Sequence, residues 1–320
     1  MREAMLYEKL ESGGVKCGLC SHRCAIAKSK IGACGVRKNI GGKLFSLVYG
    51  KPVSMAIDPV EKKPLFHFLP ATKSFSFATV GCNLKCEFCQ NWEISQFSKG
   101  KDISDEIWND VAPGDIVRQA VDNKCQSISY TYTEPTIFFE YAHDVAKIAK
   151  REVLKNIFVT NGYYTQETLE KMKNLIDAAN IDLKSFDDGF YRKVCGAKLQ
   201  PVLESIKNTF EAGIWTEITT LIIPGYNDKP DELRKLAAFI ASISKDIPWH
   251  ISQYHPDYKF DAPRTPVETL RRAFEIGKRA GLNYVYVGNV FGGEHENTFC
   301  PKCNAKVIER VGYDVKNNLK

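Results

Sequence analysis

The chain has 320 residues, of which 44% are hydrophobic and 26% charged, a composition that can bury a large core and excludes a disordered chain. Its 44 Lys and Arg residues outnumber 38 Asp and Glu residues and give a net charge of +6. Because the charges form no long runs, nothing points to nucleic acid as a partner. The sequence contains neither a signal peptide nor the roughly 18 consecutive apolar residues of a membrane span. We therefore expect a cytoplasmic protein that binds neither nucleic acid nor membrane.

Eleven cysteines are the main chemical clue in this sequence. In a reducing compartment, clustered cysteines are more often metal ligands or catalytic groups than disulfides. Cys125 and Cys195 stand alone and are expected to be small buried apolar residues. The other nine fall into three groups, which are Cys17, Cys20, Cys24 and Cys34, then Cys82, Cys86 and Cys89, and finally Cys300 and Cys303.

From residue 74 onward, short β-type runs alternate with amphipathic helical runs, which predicts an α/β fold with parallel strands in an open doubly wound sheet or a barrel. The predicted strands are Phe75–Gly81, Ser127–Tyr132, Asn156–Thr160, Ala179–Leu183, Trp215–Ile223, His250–Tyr254 and Tyr284–Val287. The predicted helices include Thr136–Arg151, Gln166–Ile176, Pro230–Ser242 and Pro266–Ala280. We divide the chain into a cysteine-bearing N-terminal unit (1–70), an α/β body (71–290) and a C-terminal tail with Cys300 and Cys303 (291–320).

The central cysteine group lies on a short loop that follows the first predicted strand. Cys82, Cys86 and Cys89 have the spacing Cys-x3-Cys-x2-Cys. A cubane [4Fe–4S] cluster has one iron more than these three thiolates can bind, so one iron is left free to bind another molecule. The alternative is a zinc knuckle that takes its fourth ligand from elsewhere in the chain.

This spacing, with an aromatic Phe88 before the last cysteine, resembles the signature of the radical S-adenosylmethionine (SAM) superfamily. The resemblance implies a [4Fe–4S] cluster whose free iron chelates the methionine part of SAM. One electron from the cluster then cleaves the S–C5′ bond, and the resulting 5′-deoxyadenosyl radical abstracts a hydrogen atom.

Three polar segments follow the next predicted strands in order, and they resemble SAM-binding elements of the pyruvate formate-lyase activating enzymes. They are Thr133-Glu134-Pro135, Thr160-Asn161-Gly162 and Asp182-Leu183-Lys184. Tyr132 and Thr133 stand where those enzymes carry two glycines. Their larger side chains restrict the close backbone approach that glycine allows, which weakens the inference that Glu134 contacts SAM. The resemblance implies SAM contacts for Glu134, Thr160, Asn161, Asp182, Lys184 and His255.

The resemblance extends over nearly the whole chain to the radical SAM component of the AmmeMemoRadiSam system. It rests on the segments 17–24, 32–37, 61–68 and 286–289, with Cys-Pro-Lys-Cys near the end. It implies a partial (β/α)6 barrel with AMMECR1-like and Memo-like partner proteins. A flavodoxin or ferredoxin is the electron donor expected for such an enzyme.

The outer cysteines form a tentative second metal site made of Cys17, Cys20, Cys24, Cys34, Cys300 and Cys303. Four thiolates suit either Zn²⁺ or a closed Fe–S cluster, and spacing does not separate the two. Reduced cysteines packed without metal are the third possibility. A closed cluster could relay electrons, whereas a zinc ion would only stabilise the fold of the N-terminal unit. The 1–70 unit and the tail are also expected to cover the mouth of the barrel.

The sequence thus predicts an enzyme that reductively cleaves SAM and abstracts hydrogen from a carbon centre. The target is either a glycine of a partner protein, as for a glycyl-radical activating enzyme, or a small molecule or other peptide. The competing hypothesis from a different class is a non-catalytic, zinc-stapled binding or scaffold module. Iron and sulfide in the anaerobic protein would favour the enzyme, and zinc alone would favour the scaffold.

Overall fold

The N-terminal region forms two small antiparallel sheets. The computed structural model describes residues 1–104, 108–290 and 294–319. One small sheet contains β2 (Tyr7–Lys9), β3 (Val15–Cys17) and β4 (Ala25–Ile26), and the other contains β1 (Arg2–Glu3), β5 (Arg37–Ile40) and β6 (Lys43–Ser46). The cysteines of the first group therefore lie at the end of β3 and in the two loops between β3 and β5.

Within the described ranges, the main sheet has eight strands whose order follows the chain without a reversal. They are β7 (Ser54–Pro59), β8 (Lys73–Ala78), β9 (Ser127–Tyr130), β10 (Lys155–Thr160), β11 (Ala178–Asp182), β12 (Trp215–Ile222), β13 (Trp249–Gln253) and β14 (Val285–Gly288). Strands β8 to β14 are parallel, and β7 pairs antiparallel with β8 at one edge. A doubly wound sheet reverses its order at a switch point, so that alternative does not describe this sheet. The predicted α/β fold with a mostly parallel sheet is confirmed.

Helical segments connect the parallel strands, as crossover connections require. Their bounds are α1 (Trp92–Ser95), α2 (Pro113–Asp122), α3 (Phe139–Arg151), α4 (Gln166–Met172), α5 (Asp188–Phe190), α6 (Leu199–Glu211), α7 (Pro230–Ile243) and α8 (Val267–Arg279). Short 3-10 turns cover Glu11–Gly13, Val60–Lys62, Pro135–Phe138 and Glu294–Glu296, and a π-helical turn covers Tyr191–Cys195. The longer helices pack one apolar stripe on the sheet, such as Leu233, Leu236, Ala237 and Ile240 of α7.

The main sheet begins before the predicted boundary at residue 70. Strand β7 lies inside the predicted N-terminal unit, yet Ser54 to Pro59 pair with Ala78 to Lys73 of β8. The predicted division at residue 70 does not include this pairing, because an exposed edge strand leaves little pattern in its own sequence.

A three-stranded antiparallel sheet at the C-terminal end, called the C-terminal hairpin below, packs against the segment that follows β7. It contains β15 (Thr298–Phe299), β16 (Lys306–Val311) and β17 (Asp314–Asn317). The buried Arg310 of β16 donates from Nη2 to the Phe66 carbonyl at 2.6 Å. The predicted tail starts at residue 291, but residues 291–293 and 320 lie outside the described residues.

The sequence predicts no helix that spans a membrane. None of the helices in the described ranges combines the length and apolar character needed to cross a bilayer.

Candidate functional site

A cavity of about 540 Å³ opens at the carboxyl ends of the parallel strands. Neighbouring strands end at the same level, since Thr160 pairs with Ile181 and Asp182 with Thr219. Side chains from the ends of parallel strands therefore face a shared space. The lining includes Cys82, Cys86, Cys89, Tyr132, Glu134, Thr160, Asn161, Asp182, Lys184, Thr219, Ser252 and Asn289.

The three-cysteine loop follows β8 and is tied to the surrounding structure through its backbone. Leu84 N–H donates to the Cys82 sulfur at 3.4 Å, and Lys85 N–H donates to the Cys195 carbonyl at 2.9 Å. The Cys89 sulfur lies 3.1 Å from the Ser95 hydroxyl of α1. The structure thus brings the three predicted cluster cysteines to one side of the cavity.

These thiols are suited to metal binding rather than to nucleophilic catalysis. Burial raises the pKa of Cys82 and of Cys89, and contact with Cys195 together with burial raises the pKa of Cys86. A thiol that stays protonated is a poor nucleophile, whereas a metal deprotonates the thiol that it binds.

The position of the loop cysteines bears on what they could hold. In the described parts of the chain, no group of three or more His, Cys, Asp or Glu side chains is already arranged around the place of a metal ion. The loop cysteines line the cavity together with polar side chains, so a ligand bound in the cavity would lie beside their sulfurs. Three soft sulfur donors beside a cavity therefore fit an Fe–S cluster with one open iron.

Glu134 is buried and its carboxylate binds the ends of two strands together. Oε1 accepts from Thr136 N–H at 3.0 Å and from the Thr160 hydroxyl at 2.8 Å, and Oε2 accepts from Asn161 N–H at 2.8 Å. Burial nevertheless raises the pKa of Glu134 above its ordinary value. Its oxygens face the cavity but are largely engaged by the protein.

Asn161 connects the end of β10 to the cysteine loop. Its Nδ2 donates to Asn83 Oδ1 at 2.7 Å and lies 3.7 Å from the Cys82 sulfur. Its Oδ1 accepts from Tyr163 N–H at 3.0 Å. The residue that was predicted to contact SAM therefore also holds the first cluster cysteine in position.

Lys184 provides a positive charge close to the cysteine loop. Its Nζ lies 2.8 Å from Asp182 Oδ2. Burial alone would lower the pKa of Lys184, but Asp182 and the nearby Cys86 outweigh it and raise that pKa well above its usual value. The ammonium therefore stays charged and favours negative charge on Cys86.

Lys63 lines the same cavity and belongs to a buried ion pair that was not predicted. Lys63 Nζ lies 2.5 Å from Asp58 Oδ2 and 4.4 Å from the centre of the Tyr132 ring. Burial lowers the pKa of Lys63 to about 8. Tyr132, predicted to end a strand, has a φ of 62°, which turns the chain after β9 and brings its hydroxyl to Asp58. The available signal was the Glu61–Phe68 segment, which was used for the family resemblance but not for the site.

His255 is not brought to the cavity with the other predicted SAM residues. Its side chain is exposed, and its Nδ1 lies 3.4 Å from the carbonyl of the adjacent Pro256. The preceding Tyr254 is buried, and its N–H donates to the Thr265 hydroxyl at 2.9 Å, which turns the next residue outward. Ser252 and Asn289 line the cavity from β13 and from the end of β14 instead.

The outer cysteines separate into two places. Cys17, Cys20, Cys24 and Cys34 line a second, smaller cavity together with His22 and Arg37. Cys300 and Cys303 lie on the C-terminal hairpin and line neither cavity. The predicted six-cysteine set is therefore split, because the hairpin packs near Phe66, away from the β3–β5 loops.

Comparison with known proteins identifies relatives for most of the chain. Residues 77–240 match the family model of the radical SAM superfamily. An uncharacterized protein of Methanocaldococcus jannaschii is 47% identical over 99% of this chain and 93% of its own length. A second protein of that organism, provisionally named a glycyl-radical enzyme activating enzyme, is 29% identical over 71% of this chain and 83% of its own. The pyruvate formate-lyase 1-activating enzyme of Escherichia coli (strain K12) is 21% identical over 64% of this chain and 89% of its own length.

Solved structures with low sequence identity share the fold. SuiB of Streptococcus suis bound to S-adenosylmethionine has a TM-score of 0.51 at 20% identity, over 67% of this chain and 49% of its own. SuiB bound to the precursor peptide SuiA has a TM-score of 0.52 at 21% identity, over 69% and 48%. The chain thus spans about half the length of SuiB, and the likeness concerns the fold.

Proposed function

Because the chain belongs to the radical SAM superfamily, we propose that it reductively cleaves SAM and uses the radical chemistry to abstract hydrogen from a substrate carbon. The family implies a [4Fe–4S] cluster and SAM as cofactors. When bound, they supply one electron and a 5′-deoxyadenosyl radical for hydrogen abstraction. The observation that carries the proposal is the position of Cys82, Cys86 and Cys89 on one side of a cavity lined by polar strand ends.

Each residue has a proposed task in this site. Cys82, Cys86 and Cys89 ligate three irons, and Lys184 offsets the negative charge that accumulates there. Glu134, Thr160 and Asn161 bind the methionine part of SAM, and Asp182 with Lys184 lies near its ribose. The exposed position of His255 removes it from this set. The continuous strand order and the shared cavity support a partial (β/α)6 barrel.

The test is anaerobic incubation of the reduced protein with SAM, followed by chromatography for 5′-deoxyadenosine. The wild type and a Cys125→Ala control, which alters a lone buried cysteine distant in sequence from the loop, are expected to form it, and Cys82→Ala is not. Intact SAM in all three samples would refute the proposal. Iron and sulfide analysis of the same samples tests the zinc scaffold alternative, which predicts zinc alone.

We propose a glycine of a partner protein as the hydrogen donor. The support is homology to activating enzymes, namely 29% identity over 71% of this chain to the provisionally named activating enzyme. The expected result is a glycyl-radical doublet in the electron paramagnetic resonance (EPR) spectrum of the partner. A radical confined to a small molecule, or to a different peptide position, would instead favour the alternative substrates.

We infer membership of the AmmeMemoRadiSam subfamily from the segments 17–24 and 61–68. It entails AMMECR1-like and Memo-like partners and a flavodoxin or ferredoxin as reductant. Size-exclusion chromatography of the purified proteins from one organism, mixed pairwise, tests direct binding. Separate elution at micromolar concentration would contradict a stable complex.

A further inference from the structure

A second group of thiols lies beside the SAM cavity but outside it. Its members line one small, mostly apolar cavity and are Cys17, Cys20, Cys24 and Cys34. All four are free thiols, with Cys17 and Cys34 buried and Cys20 and Cys24 half-buried. Four thiols around one space match the full ligand set of a closed [4Fe–4S] cluster or of a zinc ion.

Arg37 supplies an independent sign of a missing anionic group. Its side chain is 2% exposed and lines the four-cysteine cavity. Two guanidinium nitrogens bind the Glu140 carboxylate at 2.8 and 2.7 Å, but Nε has no hydrogen-bond partner among the described residues. Burying an N–H without a partner costs about 1–3 kcal/mol, and a sulfur ligand in this cavity would satisfy it.

The four-cysteine cavity is in direct contact with the three-cysteine loop. His22 Nε2 lies 2.8 Å from the Asn83 carbonyl, and Lys99 Nζ donates to the carbonyls of Ala33 at 2.7 Å and Cys82 at 2.6 Å. Gly81 has a φ of +100°, and a Cβ there would lie 2.6 Å from Val36 Cγ1 and 3.2 Å from the Cys34 carbonyl. The backbones that carry the two thiol groups therefore touch.

We propose that Cys17, Cys20, Cys24 and Cys34 bind a second, fully ligated [4Fe–4S] cluster that delivers electrons to the cluster at Cys82, Cys86 and Cys89. Contact between the two thiol groups favours an Fe–S cluster over zinc, because zinc has no redox chemistry and could pass no electron to the neighbouring loop. The proposal rests on the proposed function, since it assigns a source of electrons for SAM cleavage.

Only electrons move in this relay. One electron leaves a reduced flavodoxin-type or ferredoxin-type protein, which is thereby oxidised, and reduces the outer cluster near the half-buried Cys20 and Cys24. The same electron then reduces the loop cluster and restores the outer cluster to its oxidised state. No bond forms or breaks and no proton is transferred between the two centres.

Metal content tests the site itself. The wild type, prepared anaerobically, is expected to bind about eight irons and the triple variant Cys82→Ser, Cys86→Ser and Cys89→Ser about four. The double variant Cys20→Ser and Cys24→Ser is expected to retain about four irons, and the EPR signal of these should shift when SAM is added. That shift also shows that the double variant is folded. Zinc in place of iron in the triple variant, or no metal there, would overturn the proposal.

Reduction kinetics test the relay. With reduced flavodoxin, the loop cluster of the double variant should be reduced at least about tenfold more slowly than in the wild type, whereas dithionite should reduce both equally. Equal rates with flavodoxin would refute an electron relay. If the triple variant keeps about four irons but the wild type never cleaves SAM, the proposed function fails and the second cluster stands.

Discussion

Asn161 and Asn83 are joined by a hydrogen bond of 2.7 Å from the Nδ2 of the former to the Oδ1 of the latter. Asn161 directly follows a strand of the parallel sheet, and Asn83 follows the first cysteine of the loop. The bond fixes the loop relative to the sheet, so the proposed cluster ligands and the proposed SAM-binding strand ends depend on one another. The same side chain accepts from Tyr163 N–H.

Replacement of Asn161 by alanine should therefore affect both stability and SAM binding. Asn161→Ala leaves a buried amide oxygen and a buried N–H without their partner, which costs about 1–3 kcal/mol in the free energy of unfolding. Denaturant unfolding and SAM titration measure the two effects. Asn208→Ala, which removes an exposed amide bound to Gln166, is the matched control. Equal losses in both variants would contradict the predicted role.

The buried ion pair between Arg37 and Glu140 predicts an asymmetric response to substitution. Both side chains are 2% exposed and lie 2.7 Å apart. Arg37→Met leaves the Glu140 carboxylate buried without its cation and should cost about 3–5 kcal/mol in the free energy of unfolding. The double variant Arg37→Met with Glu140→Leu should recover much of that loss.

Denaturant unfolding of the two variants checks this prediction. The exposed pair between Arg234 and Asp231 offers a control, since Arg234→Met should change stability by less than about 1 kcal/mol. A double variant less stable than Arg37→Met alone would show that the pair stabilises the fold in a different way.

Glu217 predicts a loss of stability in acid. Burial would raise its pKa, but the hydrogen bond with His250 at 2.7 Å and the nearby His67 outweigh burial and lower it to about 2 from an ordinary value of 4.5. The N–H groups of Phe66 and His67 also donate to it at 2.9 Å. Because this pKa is depressed, the stabilisation is complete above about pH 4.5 and is lost as the pH falls towards 2, by roughly 3 kcal/mol.

Unfolding free energies measured between pH 6 and about pH 2 test this window. Glu217→Gln should flatten the pH dependence by that amount, whereas Glu204→Gln, at an exposed helix position, should not change it. An unchanged slope in Glu217→Gln would assign the acid sensitivity to other carboxylates.

Lys184 is predicted to support chemistry rather than folding. Lys184→Met removes the positive charge beside Cys86 and leaves Asp182 without its partner at 2.8 Å. SAM cleavage should fall at least about tenfold, equivalent to about 1.4 kcal/mol in the barrier. The midpoint potential of the loop cluster should also decrease, because a less positive environment disfavours the reduced cluster.

Redox titration followed by EPR and the initial rate of 5′-deoxyadenosine formation provide the two readouts. Lys193→Met, which removes a lysine from the neighbouring π-helical turn, is the control. A potential that is unchanged in Lys184→Met would argue against the proposed electrostatic role.

The parallel strands could be predicted from sequence because each is a short, largely buried run that alternates with helical segments. For example, the strand predicted at Asn156–Thr160 is observed at Lys155–Thr160, so its start differs by one residue. The strand β7 could not be predicted in the same way, since its large apolar residues Met55 and Ile57 are exposed at the edge of the sheet.

Parts of the candidate site depend on side-chain direction, which residue spacing does not specify. His255 follows a predicted strand in the expected order, yet the buried Tyr254 turns it to the surface. Cys195 was predicted to be an ordinary buried residue and is fully buried, but its thiol contacts that of Cys86. The Lys63 and Asp58 pair was missed because its members approach each other only through the turn at Val60–Lys62.

The bond from Arg310 to the Phe66 carbonyl joins residues separated by 244 positions, and Tyr313 from the same hairpin reaches the cavity wall. During translation, every strand of the parallel sheet leaves the ribosome before this hairpin does. The cavity therefore acquires its last wall only after the sheet has been synthesised. A chain that ends before residue 298 would therefore lack both Tyr313 on the cavity wall and the partner of the Phe66 carbonyl.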